Sequence, residues 1–155
     1  MLKAGDRAPR FEAKATDGRT LTPELLAGKP YILYFFPKSF TPGCTIETKH
    51  FRDAYPELRK LGVEVIGVSA DGHETQCDFA QSTGATFPMV GDSSGQLIES
   101  FDVKWPIFKR AMRVTYLVDG QGVVRGVYHH ELDMKKHLTD VQAALEKLAS
   151  AQRAV

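Results

Sequence analysis

Two cysteines among 155 residues are too few for the disulfide framework of a small secreted protein, although they suffice for one redox pair. Charge of one sign is also missing. The 20 Lys and Arg against 19 Asp and Glu leave a net charge of +1, without the basic excess that nucleic-acid binding needs. No apolar run is long: Tyr31 to Phe36 is the longest, far short of the ~20 residues of a membrane span. Met1 to Arg7 lacks the apolar stretch of a signal peptide, and the glycines at 91, 95, 120, 122 and 126 match no phosphate-binding loop. Internal repeats, linkers and low-complexity stretches are absent as well. What is present is ordinary: 43% hydrophobic and 25% charged residues, enough for a single domain over 1–155. A cytoplasmic domain, without nucleic acid, membrane, metal or cofactor, is the expectation.

The pattern along the chain predicts an α/β fold. Phe11 to Ala15 and Arg19 to Leu21 flank the turn Asp17-Gly18 as an N-terminal β-hairpin, and Thr22-Pro23-Glu24 opens a short helix closed by Gly28 and Pro30. Tyr31 to Phe36 and Val63 to Val68 read as strands buried on both faces. Between them Phe51, Ala54, Tyr55, Leu58 and Leu61 recur at helical spacing, with Pro56 expected to kink the helix. This is a βαβ unit with parallel strands. A further helix is expected over His73 to Thr83, its cap ambiguous among Ser69, Asp71 and His73. An antiparallel hairpin follows, from Arg113 to Val118 and Val123 to Tyr128. The closing stripe Met134, Leu138, Val141, Leu145 and Leu148 belongs to a core-packed helix.

Chemical content gathers in Phe35-Phe36-Pro37-Lys38-Ser39-Phe40-Thr41-Pro42-Gly43-Cys44-Thr45-Ile46-Glu47, where a buried strand passes through a loop into a helix. With Thr41 as N-cap and Pro42 as first helical residue, Cys44 is third, beside unpaired backbone N–H groups that favour a thiolate. Such placement contributes only ~0.3–2 kcal/mol. Full ionisation multiplies the reactive fraction by a factor on the order of tens. A large acceleration therefore needs donors that polarise the substrate. Thr41, the amides of Gly43 and Cys44, and a remote Arg are the candidates.

This stretch resembles the peroxiredoxins, specifically the PrxQ or bacterioferritin comigratory protein group. Pro37, Thr41 and Cys44 meet the pattern Pro-x-x-x-Thr-x-x-Cys, and Phe51-Arg52-Asp53, Gly67-Val68-Ser69, Phe87-Pro88 and Arg113 to Asp119 extend the similarity over nearly the whole chain. The resemblance implies a thioredoxin-like fold, a mixed sheet flanked by helices, and thiol-dependent reduction of hydrogen peroxide or organic hydroperoxides. Cys44 would be the peroxidatic thiolate, Thr41 would hydrogen-bond the peroxide, Pro37 would shield the sulfur, and Arg113 would stabilise thiolate and leaving oxygen. Glu47 either orients an Arg or is a solvated charge. The reductant would be thioredoxin, glutaredoxin or a small thiol, and the protein a monomer or weak dimer.

The resolving thiol is where this chain departs from the group. Lys49 stands at one usual position and Ala80 at the other, while Cys77 lies three residues earlier. Either Cys77 resolves the sulfenic acid after some unwinding, or an external thiol does. A disulfide reductase is disfavoured by the lack of Cys-x-x-Cys; a redox sensor on the same fold is the other alternative. His50 lies off the face of Cys44, and His129 and His130 point to opposite faces of a strand. Trp105 to Phe108 is expected to pack near the mouth of the site. Of the basic cluster Lys109, Arg110 and Arg113, only Arg113 starts a strand that reaches the cysteine.

Overall fold

The computed structural model describes residues 1–107 and 110–153; Phe108 of the expected mouth and Lys109 of the basic cluster lie outside them. A two-stranded hairpin, β1 (Ala13–Lys14) and β2 (Thr20–Leu21), precedes the short helix α1 (Pro23–Leu26). Thr22 caps α1 as its sequence requires, its Oγ1 accepting from the Leu25 amide at 3.2 Å.

The main sheet has the order β5-β4-β3-β6-β7. Strand β3 (Tyr31–Phe35) leads through helix α2 (Pro42–Lys60) to β4 (Glu64–Ser69), which lies parallel to it, as the apolar runs and the intervening helical period demand. Helix α3 (His73–Thr83) returns the chain to β5 (Met89–Gly91), also parallel. Then come α4 (Gln96–Ser100), the antiparallel pair β6 (Val114–Val118) and β7 (Val124–His129), and α5 (Met134–Arg153). Strand β6 pairs antiparallel with β3 and makes the sheet mixed. The sequence pattern left out β5 and α4; both are too short to show a period. None of Ser69, Asp71 and His73 caps α3; the residue in place is Gly72, which has no side chain to bond. Helix α2 continues through Pro56.

Period two explains the buried strands. In β3, Tyr31, Leu33 and Phe35 join one core with Ile66, Phe101 and Tyr116, while Ile32 and Tyr34 join another with Phe51, Phe79 and Leu117. Tyr34 fits because Gly67 faces it across the sheet; a Cβ on Gly67 would stand 2.7 Å from the tyrosine oxygen. That hydroxyl hydrogen-bonds Thr48 Oγ1 at 3.0 Å and so fastens α2 to β3 one turn past Cys44. Among the described residues no helix is long and apolar enough to cross a membrane.

Candidate active site

The loop between β3 and α2 is built rather than free. The Ser39 amide donates to Asp71 Oδ2 at 2.8 Å, the Ser39 hydroxyl to Gln76 Oε1 at 2.5 Å, and Ser69 Oγ to Asp71 Oδ2 at 2.6 Å. The end of β4 and the start of α3 thus hold the loop. Phe40 takes φ 66, a left-handed conformation uncommon without glycine, and its ring rests edge-on against Phe79 with centroids 5.2 Å apart.

Helix α2 then starts as expected, with Thr41 at the cap, Pro42 first and Cys44 third. The first intrahelical bond runs from the Thr45 amide to Thr41 O at 2.9 Å, so the amides of Gly43 and Cys44 lie ahead of the ladder. The Thr41 hydroxyl makes no cap bond; it donates to Lys38 O at 2.7 Å, which leaves its lone pairs able to accept from a peroxide O–H.

Arg113 comes from the start of β6, the strand that pairs with β3 on the side away from β4. Val114 pairs with Phe35, so Arg113 stands level with the carboxyl end of β3, where α2 begins. Its Nη1 donates to Cys44 Sγ at 3.4 Å and to Glu47 Oε1 at 3.0 Å. Glu131 fixes the rest of it, with Arg113 Nε donating to Glu131 O at 3.1 Å and the Arg113 amide to Glu131 Oε2 at 3.0 Å. Burial alone would lower the proton affinity of Arg113, but the charges of Glu47 and Cys44 and their hydrogen bonds raise it, so the guanidinium stays charged. Gly43 lets the helix start approach the guanidinium closely: a Cβ would meet Met134 Cε at 2.8 Å and Arg113 Nη2 at 3.3 Å, and both side-chain ends would have to shift.

Glu47 is no solvated charge. Both it and Cys44 are 0% exposed. Burial pushes the Glu47 carboxyl up to about 8, against the downward pull of the charge and hydrogen bond of Arg113. Behind it stands His137, which the sequence reading missed. A histidine inside the apolar stripe, between Met134 and Val141, was the available signal. Thr115 follows Arg113 by two residues, so both side chains leave one face of β6, and Thr115 Oγ1 lies 2.8 Å from His137 Nδ1. His137 Nε2 lies 2.8 Å from His130 O, an acceptor, so the proton sits on Nε2 and Nδ1 accepts from Thr115. Burial pushes His137 down to about 4.

These two neighbours act oppositely on stability. His137 binds its proton less readily folded than unfolded, so its contribution is complete above pH 6.5 and is lost as the pH falls towards about 4. Glu47 binds its proton more readily folded, so its contribution is complete below pH 4.5 and is lost as the pH rises towards about 8. Between 4.5 and 6.5 the two slopes cancel. His137→Gln should unmask Glu47, so that the unfolding free energy from urea titrations falls steadily through this window, on the order of 1.4 kcal/mol per pH unit. An unchanged pH dependence in the variant would contradict both assignments.

The other candidates separate from the site. Cys77 is half-buried on α3, its Sγ 3.5 Å from His73 Nε2, and both cysteines are free thiols. Phe79 faces Phe36 and Phe40, so Cys77, two residues earlier, points about 160° away from that side of α3. His129 lies 2.5 Å from Glu131 Oε2 and His130 2.7 Å from Asp140 Oδ2, each imidazole with its own carboxylate. Pro106 and Ile107 line a cavity with Ala70, Gly95 and Ile98 rather than touching Cys44.

Comparison with known proteins places the chain in a family. Residues 4–127 match the AhpC/TSA family. The chain is 33% identical over 148 residues to the chloroplastic peroxiredoxin Q of Populus jackii, covering 95% of this chain and 70% of that protein. It is 33% identical to peroxiredoxin Bcp of Escherichia coli (strain K12), covering 84% of this chain and 92% of that one. The crystal structure of peroxidoxin BcpB from Mycobacterium tuberculosis superposes with a TM-score of 0.88 at 29% identity, over 95% of this chain and 98% of that one. By these matches the chain belongs to the AhpC/TSA family, in the peroxiredoxin Q and Bcp group, and is a thiol-dependent peroxidase.

Proposed function

We propose that Cys44 is the peroxidatic residue and that Arg113, Thr41 and Pro37 are its partners. The observation that carries this reading is the 3.4 Å contact between Arg113 Nη1 and the buried Cys44 sulfur. The thiolate attacks the terminal oxygen of a hydroperoxide. An S–O bond forms, the O–O bond breaks, and both of its electrons leave on the alkoxide or hydroxide, which takes a proton to become alcohol or water. Arg113 stabilises the anionic sulfur at the start and the charge growing on the leaving oxygen. The Thr41 hydroxyl, already donating to Lys38 O, accepts from the peroxide O–H and so orients it. Pro37, Thr41 and Gly43 are each half-buried, and the peroxide enters past them; Pro37 presents no N–H there and keeps water off the sulfur.

The sulfenic acid is then reduced by an external thiol of thioredoxin, glutaredoxin or small-molecule type, in a cytoplasmic compartment where thiols stay reduced. The direction of Cys77 favours this one-cysteine route over an internal disulfide, which would require α3 to unwind. In a peroxide-consumption assay with a thiol donor, Cys44→Ser should be inactive and Cys77→Ala should turn over normally. Intact mass after one equivalent of peroxide should show a gain of oxygen. Residual turnover in Cys44→Ser would sink the assignment of the nucleophile. Loss of two hydrogens would give the resolving role to Cys77 instead.

A further inference from the structure

One cation faces two acids at this site, and that imbalance has a mechanistic consequence. Cys44 and Glu47 are both completely buried, and each is bonded by the same Nη1 of Arg113. If both acids were ionised, the site would carry an uncompensated negative charge away from water, an expensive state. The surroundings of the carboxyl bear on which acid keeps its proton. Glu47 Oε1 is bonded, whereas Oε2 is buried without a hydrogen-bond partner among the described residues. His137 Nε2 stands 3.5 Å from Oε2 and already donates to His130 O. Oε2 is unpartnered in either form, and an unpaired neutral O–H costs far less in a buried site than an unpaired charged oxygen. The other groups facing Glu47 give no relief: Glu131 adds negative charge, and the Tyr34 hydroxyl is engaged with Thr48.

We infer that Glu47 is a redox-linked proton store: it holds a proton on Oε2 while Cys44 is a thiolate, and releases it when the sulfur is oxidised. This rests on Cys44 being the peroxidatic residue. In the resting site the guanidinium balances the thiolate and Glu47 is neutral. Attack on the peroxide turns S⁻ into neutral S–OH and sends one negative charge out on the leaving oxygen. Arg113 has then lost its anion, and Glu47 has lost a negative neighbour. Both changes favour the ionised carboxyl, so Glu47 gives up its proton and takes over Arg113. The proton neutralises the leaving alkoxide or hydroxide, by way of solvent at the mouth of the site. The net charge of the pocket is zero before and after, and oxidation proceeds without burying a charge. Glu47 acts through Arg113 and is a positioning residue whose protonation follows the redox state of the sulfur.

The test is a proton count. Fully reduced protein in weak buffer at neutral pH is mixed with one equivalent of hydrogen peroxide without reductant. The ultraviolet absorbance of the thiolate and a pH indicator are followed together. Wild type should lose its thiolate with almost no proton taken from the medium, whereas Glu47→Gln, which has no proton to give, should take up about one per thiolate consumed. One proton per thiolate in wild type would overturn the inference. A thiolate signal that peroxide leaves intact would instead overturn the assignment of Cys44. Should Glu47→Gln fail to fold, difference infrared spectra of wild type decide the matter: the stretch of a protonated carboxyl must disappear on oxidation, and its persistence refutes the store.

Discussion

Replacing Arg113 with alanine should slow oxidation of Cys44 by peroxide about 10²–10³-fold, the range found when one preorganised donor to a developing charge is removed. The cost is this large because the side chain acts from one fixed position: its Nη1 serves the sulfur and Glu47 together while Nε is tied to Glu131 O. Arg113 is also 7% exposed, so water does not replace the lost donor well. Arg113→Lys should recover only part of the rate, since an ammonium is a single point and cannot span sulfur, carboxyl and carbonyl from one planar fork. The measurement is the bimolecular rate of Cys44 oxidation under competition with a reference peroxidase. An alanine variant within a few-fold of wild type would show that the guanidinium is only structural.

Phe79→Ala should be strongly damaging although it lies away from the chemistry, lowering stability by ~3–5 kcal/mol in urea unfolding. The ring is fully buried and carries two others, Phe36 at 5.7 Å and Phe40 at 5.2 Å between centroids. Phe36 ends the run that feeds the active-site loop, and Phe40 is held in a left-handed conformation within that loop. Loss of Phe79 therefore removes core and loosens the turn that delivers Thr41 and Cys44. Phe79→Leu keeps most of the packing, loses the edge-to-face contact, and should cost much less. A destabilisation below about 1 kcal/mol for the alanine variant would contradict this account, because truncating a well-packed ring costs several times more.

How far the site was legible in sequence follows from the range of each interaction. The cap at Thr41, Pro42 at the first helical position and Cys44 at the third are local, and the structure repeats them. Arg113 is 69 residues from Cys44, and no spacing in the chain reveals its reach; the resemblance to peroxiredoxins did. Glu47 could be read as a solvated charge because a single carboxylate on a helix carries no sign of what packs over it. The same holds for His137, whose place in an apolar stripe was a signal that only the fold turns into a buried hydrogen-bond chain. Cys77 shows the converse. It is close enough in sequence to suggest pairing, but the face of α3 given to Phe79 turns it aside.

By itself, then, the order of residues determined the βαβ unit, the two hairpins, the core-packed C-terminal helix and the entry of Cys44 into α2. Each depends on groups within a few residues, where period, caps and turns fix the backbone. Tertiary structure alone decided which strand stands beside β3, and with that pairing which cation meets the sulfur. It also decided that one guanidinium must serve two buried acids. Strand register and burial come from the summed packing of distant segments, and that sum has no local signature.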